Sequence, residues 1–331
     1  MTLAQTVADY VALKQALGMR FRTEARILTA FCRALGDVEL HEVTPGPVQA
    51  YLAGPGPITT FWHRKYEALT GFYRFALGRG YAVSSPLPTT VPKRPAPFVP
   101  YLYTPAEVQR LLAVTDRLNS APSATLPPAT FRTLLLLLYG TGLRLGEALA
   151  LTLADVDLPG SLLTIRVSKF YKTRLVPVGP ELAQVLAAYA QVRRRFPRPA
   201  GMASAFLALR TGHPLSRGRA EATFRRLRGA AGLQRTDGAR YQPRLHDFRH
   251  CFAVRRLVAW YQAGADVQRL LPHLATYLGH ADVAATQRYL TLTPELLHAA
   301  SARFAAYALG GVPCSTPRSS APGCAAFSWS T

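Results

Sequence analysis

Two histidines and an arginine share one face of a helix that the sequence predicts around RLHDFRH, residues 244–250. His246, Arg249 and His250 stand at positions i, i+3 and i+4, which a helix places on the same side. Imidazole rings and a guanidinium on one face of a basic protein form an arrangement suited to binding a phosphate group. The sequence therefore predicts a phosphate site on this helix.

The same histidine spacing leaves a metal site open as a second interpretation. Two histidines four residues apart with an acidic residue between them, here Asp247, are also typical of a metalloprotease helix. Aspartate is one methylene shorter than the glutamate of that motif, and Arg249 would place a positive charge beside the metal ion. No third ligand stands out in the sequence, so phosphate binding is favoured and no metal is expected.

A second cation is predicted near the start of another helix, in YGTGLRLGEALAL, residues 139–151. A glycine-containing turn precedes Arg144, and Glu147 follows three residues later. A guanidinium is planar, permanently charged and able to meet a phosphate through two hydrogen bonds. Glu147 either orients Arg144 for that contact or is a surface salt-bridge partner, and the sequence alone leaves both interpretations open.

A histidine and a tyrosine complete the set, in YLGHADVAATQRYL, residues 277–290. His280 follows Leu278-Gly279 at a predicted turn, and Tyr289 comes nine residues later on a predicted helix. Tyrosine is common in this chain, with 15 in total, and most tyrosines serve the core. Tyr289 is distinguished by the motifs that accompany it.

Together these motifs resemble the tyrosine recombinase, or phage integrase, family. The resemblance rests on GTGLRLGEAL, on H-x-x-R-H at 246–250, and on L-G-H followed nine residues later by tyrosine, in that order. It covers residues 101–309 closely and the N-terminal part in general character. It implies that Tyr289 attacks a DNA phosphodiester and forms a 3′-phosphotyrosine, with no metal ion, ATP or other cofactor.

The resemblance also implies roles for the other side chains. Attack on a phosphodiester adds negative charge to the non-bridging oxygens, so catalysis needs fixed positive charge, which Arg144 and Arg249 would supply. His246 and His280 would donate hydrogen bonds to the same oxygens. His246 is also our candidate for accepting the tyrosine proton, while His250 would orient its neighbours and Glu147 would support Arg144.

A catalytic lysine on a β-hairpin turn is the remaining part that the family implies. SKFYKTRLVP, residues 168–177, occupies that place, with Lys169 as the general acid for the departing 5′-oxygen. Ser168 and Phe170 replace the two glycines usual in the family, so the turn must be built differently. Lys172 is the alternative to Lys169.

Hydrophobic spacing predicts a mainly α chain with a small antiparallel β-sheet. The resemblance implies a tyrosine recombinase-like fold, with a helical N-terminal DNA-binding domain and a mostly helical catalytic domain that contains the sheet. The β-hairpin is predicted from residues 162–167 and 174–178. The predicted organisation is a helical core-binding domain at 1–85, a proline-rich linker at 86–103, a catalytic domain at 104–310 and a disordered tail at 311–331.

Charge favours a nucleic-acid partner for both parts of the chain. The 39 Lys and Arg exceed the 18 Asp and Glu by 21, and cationic side chains gain by displacing counterions from phosphate backbones. RNA binding would produce the same composition, so the choice of DNA rests on the motifs. The side chains predicted to contact DNA are Arg64, Lys65, Arg74, Lys172 and Arg174.

Further expectations concern partners and location. The resemblance implies double-stranded DNA with inverted half-sites, a dimer at each site, a homotetramer in the synapse, and accessory recombinases in some elements of this kind. The four cysteines form no C-x-x-C pair, and the chain shows neither a signal-peptide core nor an apolar run long enough for a membrane. These features predict a cytoplasmic, nucleoid-associated protein that does not enter membranes.

Three alternative functions remain open at this point. A DNA-binding relative that has lost catalysis would keep the charge but not need the full set of side chains. A type IB topoisomerase uses a tyrosine with a similar Arg/Lys/His set and relaxes supercoils rather than recombining two sites. A metallohydrolase would use the histidine pair, and its activity would be sensitive to chelators.

Overall fold

The proline-rich stretch after the first 85 residues contains the point at which the chain divides into two units, Met1–Phe98 and Val99–Thr331, in the computed structural model. The residues described are 1–36, 38–95, 98–117, 125–166, 173–201, 203–239, 241–280, 283–287, 289 and 301. The predicted domain boundaries at 85 and 104 lie on either side of this dividing point.

Over its described residues, the first unit contains four α-helices and one short 3-10 helix. These are α1 (Leu3–Ala16), α2 (Arg22–Leu35), the 3-10 helix Leu40–Glu42, α3 (Pro45–Ala53) and α4 (Thr60–Gly78). Helix α1 begins with a capping box in which Thr2 and Gln5 bond reciprocally. Large side chains fill the core, among them Phe31 and Phe72, which are fully buried.

The second unit is mostly helical. Its α-helices are α5 (Pro105–Asp116), α6 (Pro128–Thr141), α7 (Leu145–Ala150), α8 (Pro180–Arg193), α9 (Arg217–Ala230), α10 (Asp247–Gln262), α11 (Val267–Leu278) and α12 (Ala284–Gln287). A 3-10 helix, Leu153–Asp155, leads into the sheet. The predicted mainly α fold with a small sheet is confirmed.

Three antiparallel strands form the sheet: β1 (Val156–Asp157), β2 (Leu162–Ile165) and β3 (Arg174–Pro177), in the order β1-β2-β3. The predicted hairpin is confirmed, because β2 pairs antiparallel with β3 and Ile165 lies opposite Arg174. Strand β1 was not predicted, since two residues carry no alternation that could be recognised. The turn that contains Lys169 and Lys172 lies outside the described residues.

Two helices of the second unit carry start signals in the sequence. Helix α6 begins at Pro128, because proline suits the first position of a helix. Helix α9 was not predicted at all, although Ser216 caps it and Ala220, Phe224 and Leu227 form a buried stripe along it. The tail predicted at 311–331 lies outside the described residues.

The core of the second unit holds the helices that carry the motifs. Helix α6 is buried along most of its length and packs against α5, α8 and α10. Phe248 of α10 stacks on Tyr103 with ring centroids 4.5 Å apart and is fully buried. Helix α10 in turn packs on α11. In the described part of the chain, no helix is long and apolar enough to cross a membrane.

Candidate active site

Arg249 is held in the first turn of α10 by two main-chain carbonyls from other elements. Its Nη1 donates to the carbonyl of Gly142 at 2.9 Å and its Nη2 to that of Leu278 at 2.7 Å. The side chain is only 2% exposed. Burial and the neighbouring charge of Arg144 lower the pKa of Arg249 to about 10, so the guanidinium remains charged at neutral pH.

Arg144 reaches the same end of α11 from the N-cap of α7. Its Nη2 donates to the Gly279 carbonyl at 2.8 Å, and its Nη1 approaches the Leu278 carbonyl at 3.4 Å. The Leu278 carbonyl therefore accepts from both arginines. Carbonyls at the C-terminus of a helix lack intrahelical partners and carry partial negative charge, so they attract cations. The end of α11 brings the two predicted arginines together.

Glu147 fixes Arg144 from the other side. Its carboxylate accepts from Arg144 Nη1 at 2.8 Å and from Arg174 Nη2 at 2.8 Å, and it also accepts from the Arg144 main-chain nitrogen at 3.0 Å. Burial opposes ionisation of Glu147, but these bonds and the charge of Arg174 outweigh it and lower the pKa to about 2. Glu147 is thus a largely buried partner of Arg144 rather than a surface one, and its role in orienting Arg144 for a phosphate stays a prediction.

Arg174, a predicted DNA contact, lies beside Glu147 in the same cluster. Its side chain is 11% exposed, pairs with Glu147, and donates from Nε to the Tyr277 carbonyl at 2.9 Å. Arg174 therefore supports Glu147 in the structure, and its contact with DNA stays a prediction.

His246 and His250 lie beside these arginines at the start of α10. Their rings meet edge to face with centroids 5.3 Å apart. Enclosure by neighbouring residues, with the charges of Arg249 and Arg244, lowers the pKa of His246 to about 4, although the residue is exposed. Burial and the neighbours His246 and Arg244 lower the pKa of His250 to about 3. Both imidazoles are therefore neutral at pH 7.

Tyr289 lies against two histidines. Its ring stacks on that of His280 at a centroid distance of 6.0 Å and meets His250 edge to face at 5.4 Å. It is only 4% exposed. His280 Nδ1 is 2.6 Å from the hydroxyl of Thr286. The three motifs thus meet in one place.

The other predicted residues lie elsewhere. Arg64 and Arg74 are exposed on α4 of the first unit. Lys65 is partly buried there, donates from Nζ to the Tyr51 carbonyl at 2.6 Å and lies over the Tyr51 ring. Lys169, the predicted general acid, and Lys172 lie outside the described residues.

Two charged residues near the site were not predicted from the sequence. Arg217 is the first residue of α9. Its Nη2 is 3.3 Å from where a Cβ added to Gly146 would lie, and its charge contributes to the lowered pKa of His246. Arg244 binds Asp247 through its main-chain nitrogen at 2.8 Å and Nη2 at 3.0 Å. The Ser216 cap and the Ala220–Leu227 spacing could have revealed α9 and hence Arg217.

No group of three or more His, Cys, Asp or Glu side chains that could hold a metal ion occurs among the residues for which the structure gives positions. Asp247, the acidic residue of the metalloprotease interpretation, is instead 1% exposed and bound by Arg244. Burial raises the pKa of Asp247 despite this ion pair.

Comparison with known proteins identifies the family of the chain. The model of the phage integrase family matches residues 102–295. A protein of Sinorhizobium fredii named as the integrase/recombinase y4rB is 36% identical over 91% of this chain and 96% of its own length. Tyrosine recombinase XerC of Chlorobaculum tepidum is 32% identical over 70% of this chain and 68% of its own length. The chain therefore belongs to the phage integrase family and is a site-specific recombinase of the tyrosine type.

Solved structures share the fold. The Tn1549 transposon integrase, in complex with a circular intermediate DNA, aligns with a TM-score of 0.69 at 18% identity, covering 92% of this chain and 99% of that one. Lambda integrase, as a dimer bound to a core site, aligns with a TM-score of 0.61 at 18% identity, covering 86% and 97%. At this level of identity the likeness concerns the fold.

Proposed function

We propose that this recombinase cleaves and rejoins DNA strands through a covalent 3′-phosphotyrosine at Tyr289, without a metal ion or ATP. The observation that carries the proposal is the meeting of Arg144 and Arg249 at the Leu278 carbonyl, next to the His280–Tyr289 ring stack. Two guanidiniums fixed before substrate arrives are what a phosphorane-like transition state requires, because no reorganisation is needed when charge develops.

The proposed cleavage step conserves bonds and protons. The phenolic oxygen of Tyr289 attacks the phosphorus, the bond from phosphorus to the 5′-oxygen breaks, and the 3′ phosphate becomes esterified to the tyrosine. His246 accepts the phenolic proton, and Lys169 donates a proton to the leaving 5′-oxygen. The 5′-hydroxyl of a partner strand then reverses these steps and completes the exchange.

His246 fits the proton-accepting role in its charge state. With a pKa of about 4, it is neutral over the working range of pH and can take up a proton. The positive charges of Arg249 and Arg244 contribute to this low value, and a bound phosphodiester would offset them. Substrate binding would therefore make the imidazole a stronger base when it is needed.

The proposed partner is duplex DNA with inverted half-sites, bound by a dimer at each site and by a homotetramer in the synapse. Structures of a fold relative support this, since lambda integrase has been solved both as a dimer bound to a core site and as a tetramer bound to a Holliday junction. The exposed arginines of α4, Arg64 and Arg74, are proposed DNA contacts in the first unit. The nucleoid is the proposed location.

A covalent-capture experiment tests the proposal. Wild-type protein, Tyr289→Phe and Tyr277→Phe would be incubated with nicked duplexes and genomic fragments, then denatured, and DNA linked to protein would be sequenced. Tyr277→Phe is the matched control, because Tyr277 stacks on Phe252 in the same region and no step uses its hydroxyl. We expect adducts through the 3′ end from wild type and Tyr277→Phe only.

Two results would contradict the proposal. Adducts from Tyr289→Phe at the wild-type yield would show that another group is the nucleophile. Loss of cleavage on addition of a chelator would show that a metal ion takes part. The recovered sequences also identify the DNA site, and recombination of two such sites would separate a recombinase from an enzyme that only relaxes supercoils.

A further inference from the structure

Thr286 connects His280 with the segment that carries Tyr289. The threonine is fully buried, and its Oγ1 is 2.6 Å from His280 Nδ1. Its main-chain carbonyl accepts a hydrogen bond from the Tyr289 nitrogen at 3.0 Å. One residue therefore reaches back to the histidine with its side chain and forward to the tyrosine with its main chain.

A hydroxyl at this place has a chemical consequence for His280. In neutral imidazole one ring nitrogen carries the proton and the other accepts. A carbonyl or carboxylate facing Nδ1 can only accept, so it would draw the proton to Nδ1 and leave Nε2 bare. A hydroxyl can donate to Nδ1, which leaves the proton on Nε2, and it can accept from Nδ1 when the imidazole is charged.

The proton on Nε2 matters because the proposed reaction asks His280 to donate a hydrogen bond to a phosphate oxygen. A neutral ring with its proton on Nδ1, already engaged within the protein, has no second N–H to offer. A ring with its proton on Nε2 can donate whether it is neutral or charged. The orientation of one hydroxyl thus decides whether the neutral histidine can act as a donor.

We propose that Thr286 is a positioning residue that donates its hydroxyl to His280 Nδ1, keeps the histidine proton on Nε2, and ties His280 to the segment bearing Tyr289. This proposal rests on the function proposed above. Threonine suits the role, since its branched Cβ restricts the side chain to few rotamers and its buried position allows little movement.

The tautomer of His280 can be measured directly on the whole protein. Histidine would be labelled with ¹⁵N, the His280 signals assigned with a His280→Gln variant, and the ring nitrogens recorded at a pH where the imidazole is neutral. We expect a protonated Nε2 and an unprotonated Nδ1 in wild type. A proton on Nδ1 would overturn the proposal, whatever the activity of any variant.

Kinetics of single-turnover cleavage, on the DNA site recovered by covalent capture, test the consequence. Thr286→Val keeps the shape of the side chain and removes the hydroxyl. Cleavage should therefore slow by about 10-fold, as expected when roughly one hydrogen bond is lost. Thr286→Ser keeps the hydroxyl and should remain within about 2-fold of wild type. Equal rates for Thr286→Val and wild type, or equal defects in the two variants, would overturn the proposal.

A double variant separates an effect through His280 from a general loss of packing. If Thr286 acts through His280, adding Thr286→Val to His280→Ala should cost nothing further. A further loss equal to that of the single variant would contradict the proposal. The tautomer measurement does not depend on DNA cleavage. The role of Thr286 can therefore be disproved while Tyr289-linked adducts still form, and it can be confirmed when no adducts form.

Discussion

Arg249 keeps its full charge because its partners in the structure are carbonyls. The hydrogen bonds found for its guanidinium in the described residues go to the oxygens of Gly142 and Leu278, which fix the side chain without neutralising it. Arg144, by contrast, shares a carboxylate with Arg174. Two arginines at one site thus differ in how much of their charge is already offset. We therefore expect Arg249 to stabilise negative charge on a bound phosphate more than Arg144 does.

Arg249→Lys should therefore be almost as damaging as Arg249→Ala. A lysine ammonium is a point charge on a flexible stem and cannot span two carbonyls as a planar fork does. We expect single-turnover cleavage to fall by about 100-fold or more, while DNA affinity changes little. Arg132→Lys is the control, since Arg132 forms an exposed pair with Asp116. Cleavage by Arg249→Lys at the wild-type rate would remove this arginine from the mechanism.

His250 should make the stability of the second unit depend on pH. Its pKa is about 3 in the folded protein against 6.5 for the ordinary group. Above pH 6.5 neither state binds the proton, and below it the unfolded chain takes up the proton while the folded protein does not. Stability is therefore present at neutral pH and lost on acidification, by at most about 1.4 kcal/mol per pH unit.

Urea unfolding between pH 7 and pH 4 measures this effect. His250→Gln removes the titrating group, so the loss of stability on acidification should be smaller in the variant than in wild type. An identical pH dependence in the two proteins would show that His250 is not the group responsible.

Helix α11 acts on the site through its last residues. It ends at Gly279, which has a positive φ of 67°, and the carbonyls of Leu278 and Gly279 face the two arginines. A Cβ on Gly279 would be 2.8 Å from Nη1 of Arg174. The helix terminus therefore needs glycine for its backbone conformation and for the space that Arg174 occupies.

Gly279→Ala should impair cleavage more than backbone strain alone predicts. Gly264 provides a matched control, with a φ of 69° and nothing within 4 Å of its added Cβ. Both alanines carry the cost of a left-handed conformation, about 1 kcal/mol, but only Gly279→Ala displaces Arg174 from Glu147. Thermal unfolding and single-turnover cleavage would be measured for both, and equal cleavage rates would contradict the role given to this terminus.

The sequence predicted the helices of the site better than their contacts. Both ends of α11 carry signals in the sequence, because Asp266 caps its start and Gly279 is its C-cap. The convergence of three motifs was expected from the resemblance. The shared Leu278 carbonyl could not be predicted, since every residue has a main-chain oxygen and no side-chain pattern marks one that is used. The inward position of Arg174 depends on packing between β3 and α11.

Positive charge is a property of the whole molecule. The net charge of +21 is spread over both units, and α9 adds exposed arginines beside the candidate site. Arg217 at its first residue lies next to Gly146, and Arg219 and Arg225 are exposed further along the same helix. Composition predicted a polyanionic partner, but it could not predict this helix as part of the surface.

DNA affinity should fall steeply with salt. Each phosphate contact contributes about one unit to the slope of log affinity against log salt concentration. Arg219→Ala and Arg225→Ala should each weaken binding across DNA sequences and reduce the slope by about 1. Equilibrium binding to a fixed duplex at several salt concentrations measures this. An unchanged slope in both variants would show that α9 does not contact the phosphate backbone.

The double use of the Leu278 oxygen makes the site more sensitive to the length of α11 than to the side chain at position 278. Any amino acid at position 278 presents the same main-chain oxygen, so exchanging one apolar side chain for another there leaves both arginines their acceptor. Adding or removing one residue in the last turn of α11 would instead rotate the terminal carbonyls by about 100°. Redesign of this recombinase can therefore exchange the apolar side chain at position 278 but must preserve the length of the helix.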